Sequence, residues 1–298
     1  MTTIQTIHPK AKRGGFTRWF RQVGWKHIVA LVVIAFATFP LLYILSTSLT
    51  YSGNIENFAL FRSFNTKNYT DLLTSTDYPF VSWMKNTVIL AGATAIISVF
   101  ISALAAFAFS RLRFKGRRPG LLALILIQMF PSILGLTAVY GILSKLTDYV
   151  PAIGLGTKAG LILVYLGGSL GGGTYLMYGF FNTVPKELDE AAKIDGASHA
   201  LIFTKIIIPL ATPILVVIFL LSFIGILNEY LITSVILGLD GPNMTIAVGL
   251  QQFIYGSYAK NWGPFAAGAL LATVPVLTLF IFLQKYLITG LVSGSTKG

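Results

Sequence analysis

Six apolar runs, near residues 27–49, 86–110, 119–143, 159–182, 212–238 and 263–284, leave this chain few ways to fold. Each is long enough to cross about 30 Å of hydrocarbon as a helix rising about 1.5 Å per residue. In hydrocarbon every backbone polar group needs an internal partner, and helices meet that demand. The charges agree. Only 11% of the 298 residues are Asp, Glu, Lys or Arg, against roughly a quarter in soluble domains. So few charges cannot cover a water-facing surface, and the missing solvent is lipid. Ser46-x-Ser48 loosely fits a signal-peptide cleavage site, but the first run is too long for such a peptide and reads as a retained helix.

Six spans put both termini on one side of the membrane. With the N-terminus inside, sixteen of the 22 lysines and arginines fall on inner segments. They include Lys10, Lys12, Arg13, Arg18, Arg21 and Lys26, and the RLRFKGRR turn from Arg111 to Arg118. Only Arg62, Lys67, Lys85, Lys145, Lys158 and Lys260 fall outside. The positive-inside rule therefore puts both termini in the cytoplasm. The surplus of +12 reads as topology and contact with anionic head groups rather than as nucleic-acid binding. The expected layout is a multi-pass, all-α protein of the cytoplasmic membrane. It has a basic cytoplasmic tail (1–26), a first transmembrane helix (27–49), an extracytoplasmic loop (50–85) and a five-helix core (86–290). The core carries an inner loop (183–209) and an outer loop (239–262), and a short cytoplasmic tail (291–298) follows.

Several chemistries are excluded. Without cysteine there is no disulfide, thiolate metal site or cysteine nucleophile. His8, His27 and His199 lie in separate regions, so no metal site is expected. No G-x-x-x-x-G-K-[ST] phosphate loop and no acid–base carboxylate pair is present, so no catalytic residue or cofactor is expected. The cluster Gly167-Gly168-Ser169-Leu170-Gly171-Gly172-Gly173 contains a Gly-x-Ser-x-Gly match. That elbow needs a strand-to-helix turn, which a membrane span does not provide. Close packing against a partner subunit is the expected role, ahead of lining a transport site. Pro40, Pro131 and Pro275 are expected to kink their helices.

The most informative stretch runs from Asn182 to Pro213, NTVPKELDEAAKIDGASHALIFTKIIIPLATP. It reads as two short helices joined at a glycine. Pro185 suits a first helical turn, and Glu187, Asp189 and Glu190 complement the helix dipole there. Leu188, Ala191 and Ala192 are expected to share one face. Gly196 offers a left-handed stop, Ser198 caps the second helix, and Pro209 and Pro213 mark the approach to the next span. An acid-rimmed, alanine-faced helix suits a groove on another protein. Helices that lie on lipid favour basic rims and bulky apolar faces instead.

Glu190-Ala191-Ala192, three residues, Gly196, nine residues, then Ile206-x-Ile208-Pro209 resembles the EAA motif of binding-protein-dependent ABC importer permeases. The usual pattern ends I-x-L-P, and Ile208 stands where leucine is common. Asn228-Glu229-Tyr230 is similar to the W-N-E-F stretch of sugar-importing members, with Leu227 in place of the tryptophan. The segment Thr245–Ala267 and the Ser295-Thr296-Lys297-Gly298 tail look like the maltose/maltodextrin branch, in particular its six-span subunit. The resemblance implies a type I ABC importer permease fold with six spans. It also implies a heterodimer with a second permease, two ATP-binding subunits and an extracytoplasmic sugar-binding protein, all in a lipid bilayer. Carried over, Glu190, Ala191, Ala192, Asp195, Gly196 and Pro209 would couple to the ATPase, Glu190 by pairing with one of its basic residues.

Two other groups stand out. Glu229 is the only carboxylate inside an expected span, and an ionisable group there is by default functional. Asn228, Glu229 and Tyr230 are pathway or gate candidates; the alternative is an interfacial Glu229 capped by water or by Asn228. The outer loop carries Gln251, Gln252, Tyr255, Tyr258 and Lys260, amides and aromatics that suit a carbohydrate or a protein surface. The resemblance implies contact with the binding protein, and a solvated connector is the plainer reading. The competing function is an ion-coupled secondary transporter, though Glu229 alone supports it weakly and no internal repeat is visible. A scaffold without solute flux is a third.

Overall fold

The computed structural model describes residues 19–50, 60–61, 63–74, 76, 78–255 and 261–295. Among these residues every regular element is helical. Helices α1 (Trp25–Ser48), α2 (Lys67–Thr74) and α3 (Phe80–Arg111) come first. They are followed by α4 (Arg117–Gln128), α5 (Ser132–Tyr149) and α6 (Lys158–Phe181). Then come α7 (Lys186–Ile194) and α8 (His199–Ile202), the latter continued by a π-helical turn, Phe203–Ile207, and by Ile208–Leu210. The last are α9 (Thr212–Leu227), α10 (Leu231–Leu237), α11 (Ile246–Gln251) and α12 (Trp262–Ser295).

Among the described residues three helices are long and apolar enough to cross a bilayer unaided: Gln22–Ser48, Phe80–Arg111 and Trp262–Leu287. Three further candidates are pairs bent at a short break, which gives between three and six spans. Sequence reasoning treats 119–143 as one helix kinked at Pro131. Instead α4 and α5 meet at 93°. Pro131 has ψ 115°, outside the helical range, and its ring disfavours a helical Phe130 before it. The run 159–182 bends by 49° between Gly168 and Gly171. The run 212–238 is also interrupted: α9 ends at Leu227 and α10 begins at Leu231. Between α8 and α9 the chain turns by 77° at Ala211, where Pro209 and Pro213 each remove a backbone donor.

Helix α3 is the hub. It packs most extensively on α6, then on α9, while α12 lies against α1 and α9 and α4 lies against α6. Ala91, Ala95, Ala103 and Ala106 are buried on α3, and small side chains of this kind let helices approach where lipid supplies no hydrophobic drive. Its other face exposes Val81, Ile89, Ile96 and Phe100, while α1 exposes Leu31, Val32, Val33, Ile34 and Phe36. A surface this apolar belongs in hydrocarbon. Apolar clusters mark the two ends of α3. One joins Phe80 and Trp83 to Leu72, Ile246 and Phe253; the other joins Phe107 to Phe181, Val184, Phe203 and Ile207.

Candidate functional site

Helices α7 and α8 form a hairpin at the Arg111 end of α3. Pro185 sits one residue before α7, as its N-cap. The hairpin turns on Gly196, whose φ of +81° is strained for any residue with a Cβ. Gly196 N–H bonds Lys193 O at 3.0 Å and Ala197 N–H bonds Ala192 O at 2.9 Å. That pair of bonds is a Schellman close, which satisfies carbonyls a helix end otherwise strands. Ser198 Oγ then accepts from Leu201 N at 3.3 Å and caps α8.

The faces of α7 divide differently from the expected pattern. Ala191 and Leu188 point outward, but Ala192 packs on the cluster around Phe107 and Phe203. The reason is angular. Successive residues differ by about 100° on a helix of 3.6 residues per turn, so the edge of the buried face can fall between the two alanines, and Ala192 joins Asp189 three residues earlier. Glu187, Glu190, Ala191, Ile194 and Asp195 are exposed, Ile194 to 87%. Pro209 lies beyond this surface, in the last turn before the Ala211 bend.

Asp189 is buried, although only a dipole role was expected of it. Its Oδ2 lies 2.5 Å from Arg111 Nε, with both side chains almost fully enclosed. Arg111 also donates through Nη2 to Val184 O at 2.9 Å. Arg111 Nε, Arg111 Nη1 and Asp189 Oδ1 are buried without a hydrogen-bond partner, so Nε and Oδ2 meet as an ion pair and not through an aligned hydrogen bond. Removing either member leaves the other charge stranded, which costs about 3–5 kcal/mol in comparable buried pairs. Arg117 meanwhile donates to Phe109 O and to Ser110 O, fixing the last turn of α3.

Glu229 occupies the gap between α9 and α10. Its Oε1 accepts from Ile232 N at 2.8 Å; its Oε2 accepts from Thr233 N at 2.9 Å, Thr233 Oγ1 at 3.0 Å and Tyr165 Oη at 2.8 Å. The carboxylate thus caps α10 and ties it to α6. Asn228 does not cap it: that amide donates to Ile224 O within its own helix. Asn228 and Tyr230 are exposed beside the break.

At the Phe80 end, the loop after α10 folds onto α3. Trp83 Nε1 donates to Gly241 O at 3.1 Å, and Asn86 Nδ2 donates to Pro242 O at 2.7 Å and Met244 O at 2.9 Å. Ile246 N donates to Thr87 Oγ1 at 2.8 Å. Gly249 lies so close to the Trp83 indole that a Cβ there would overlap the ring. This platform carries Gln251, Gln252 and Tyr255. Gln252 Nε2 bonds Leu239 O at 2.9 Å, and Tyr255 is 85% exposed. Tyr258 and Lys260 lie outside the described residues.

Part of the glycine cluster packs within the chain. A Cβ on Gly171 would overlap the Gln128 amide, and one on Gly173 would lie 2.8 Å from Ser102 Oγ. These close approaches let α6 lie on α4 and α3. Gly167 and Gly168 have nothing within 4 Å of such a Cβ. The pairing of Arg111 with Asp189 and the contacts of Tyr165 and Gln128 escaped sequence reasoning because the partners lie far apart along the chain. An arginine ending a span beside an acid-rich helix was the one available signal.

Residues 98–292 match the family described as binding-protein-dependent transport system inner membrane component. The chain is similar to the maltose/maltodextrin transport system permease protein MalG of Vibrio vulnificus strain YJ016. They are 38% identical over 284 residues, covering 91% of this chain and 95% of that protein. The Escherichia coli K12 protein of the same name is 36% identical with the same coverage. In fold it resembles a chain of a bacterial ABC transporter involved in import of the acidic polysaccharide alginate. That match has TM-score 0.72 and 24% identity, covering 92% of this chain and 99% of that one. A chain of the alginate transporter in complex with a pentasaccharide-bound periplasmic protein matches with TM-score 0.62 and 16% identity. Long apolar helices, a hairpin rooted at one end of the bundle and these likenesses point one way: the chain is a multi-pass membrane protein and belongs to the family of binding-protein-dependent transport inner membrane components.

Proposed function

We propose that the chain is a permease subunit of an ATP-driven sugar importer, taking maltose or malto-oligosaccharides as its relatives' name implies. It lies in the cytoplasmic membrane with six spans, the bent pairs each counting as one, and with both termini in the cytoplasm. It lines a pathway with a second, related permease. Two ATP-binding subunits dock on the α7–α8 hairpins of the pair and hydrolyse the ATP. An extracytoplasmic sugar-binding protein docks on the loop 239–262, with Gln251, Gln252, Tyr255, Tyr258 and Lys260 as contacts. Nucleotide on one side and loaded binding protein on the other bias a two-state rigid-body change.

The observation that carries this reading is the exposed face of α7. Glu187, Glu190 and Asp195 rim Ala191 and Ile194 on a hairpin closed by its own hydrogen bonds. An apolar strip rimmed by acids outside the bilayer suits a groove with basic edges on another protein. Glu190→Lys should leave the protein in the membrane and abolish ATP hydrolysis coupled to transport in the assembled complex. Normal sugar uptake by that variant would refute the assignment.

The ion-coupled alternative has less support, because both oxygens of Glu229 are engaged by backbone and hydroxyl donors. Uptake that survives ATP depletion but collapses with an ionophore would restore it.

A further inference from the structure

We propose that the Arg111–Asp189 ion pair is the joint through which displacement of the α7–α8 hairpin reaches α3, so that both are positioning residues for coupling. The proposal rests on the importer reading above and names the part of this chain that carries the load.

The arrangement is two-sided. Glu190 and Asp189 are consecutive, and the helical period turns one outward and the other into the bundle. A push on the outer face of α7 therefore arrives at Asp189 across the width of a single helix. Arg111 receives it at two points, since its Nε meets the Asp189 carboxylate while Nη2 holds Val184 O just ahead of α7. A guanidinium is planar and rigid, so an ion pair at one of its nitrogens and a hydrogen bond at another restrain rotation as well as translation.

The receiving end is stiff. Arg117 anchors the Phe109 and Ser110 carbonyls in the last turn of α3, and Phe107 packs on Phe203 of the π turn after α8. From there α3 runs 32 residues to the platform that holds the opposite loop. One rigid element thus touches the hairpin at one end and the loop after α10 at the other. The competing path is the apolar contact of Ala192 and Ala197 with the Phe107 cluster. It has no directional bond, so sliding along it is easy.

The test uses the whole complex in liposomes with its binding protein, and reads sugar moved per ATP hydrolysed. Asp189→Asn should lower that ratio about tenfold or more, within the usual range of coupling between sites. The double variant Arg111→Asp with Asp189→Arg should recover a substantial part of it. A wild-type ratio in Asp189→Asn, or a double variant no better than its parents, overturns the proposal. If the single variants lose the ATPase subunits, the exchanged pair still decides, because a joint is rescued by reversing its charges. If the exchanged pair also fails to assemble, the residues serve folding alone and the proposal falls. A wild-type complex without ATP-driven uptake sinks the importer reading instead, whatever the variants do.

Discussion

At its Arg111 end α3 grips the hairpin through a buried ion pair, whereas at its Phe80 end it grips the 239–255 loop through the neutral donors of Trp83 and Asn86 and the hydroxyl of Thr87. The neutral end shares its load. Three side chains reach carbonyls or an amide spread from Gly241 to Ile246, and each bond is short-ranged and separately replaceable. The charged end concentrates its load in one side chain, Arg111, and a lost partner leaves a charge that nothing nearby answers. Concentration makes for a joint that transmits or fails, while division makes for a platform that stays put. The first suits the hairpin that is proposed to move, and the second suits a surface that must present Gln251 and Tyr255 in fixed register.

The largest effect expected from this contrast is at Arg111. Arg111→Ala strands Asp189 and should lower the local stability of the hairpin by about 3–5 kcal/mol. Amide hydrogen exchange over residues 186–202 of the purified protein should rise accordingly, with exchange over 242–250 unchanged. Accelerated exchange in both regions would mean that the two ends are not independently held.

A smaller loss belongs to the other end. Asn86→Ala leaves the Pro242 and Met244 carbonyls short of a donor, worth about 2 kcal/mol in total once water partly replaces it. Exchange over 242–250 should quicken, and binding-protein affinity should fall with no change in exchange over the hairpin. An effect as large as that of Arg111→Ala would erase the distinction between a shared load and a concentrated one.

The contrast also marks what a reader of the sequence alone can see. The helices were legible because their apolar runs outlast any buried soluble strand or helix, and the hairpin because Gly196, Ser198 and Pro209 are local signals whose effect falls within a turn or two. The breaks at Pro131 and at Asn228–Tyr230 were half legible. A proline announces a disturbance but not a 93° bend, and the role of Glu229 as the cap of α10 depends on Thr233 and on Tyr165, which lies 64 residues earlier. The partnership of Arg111 with Asp189 spans 78 positions and has no periodicity to betray it. Ala192 was misassigned for a related reason. Helical spacing from Leu188 puts it on one side with Ala191, yet where the buried face ends is decided by Phe107 and Phe203 on other elements.

The smallest expected effect sharpens the comparison within the hairpin itself. If the ion pair is what roots the hairpin, its internal closures shape it without anchoring it, and weakening one should leave the root intact. Ser198 Oγ accepts only a 3.3 Å bond from Leu201 N at an exposed position, so Ser198→Ala should cost about 1 kcal/mol or less. Exchange should rise at residues 199–202 and stay at the wild-type rate at 186–192, where Asp189 is tied to α3. Sugar moved per ATP should change little, because the helix that loses its cap is not the one that holds the joint. A drop comparable to that of Asp189→Asn would shift the transmission path from the Asp189 side of the hairpin to the α8 side, through Phe203 and its packing on Phe107.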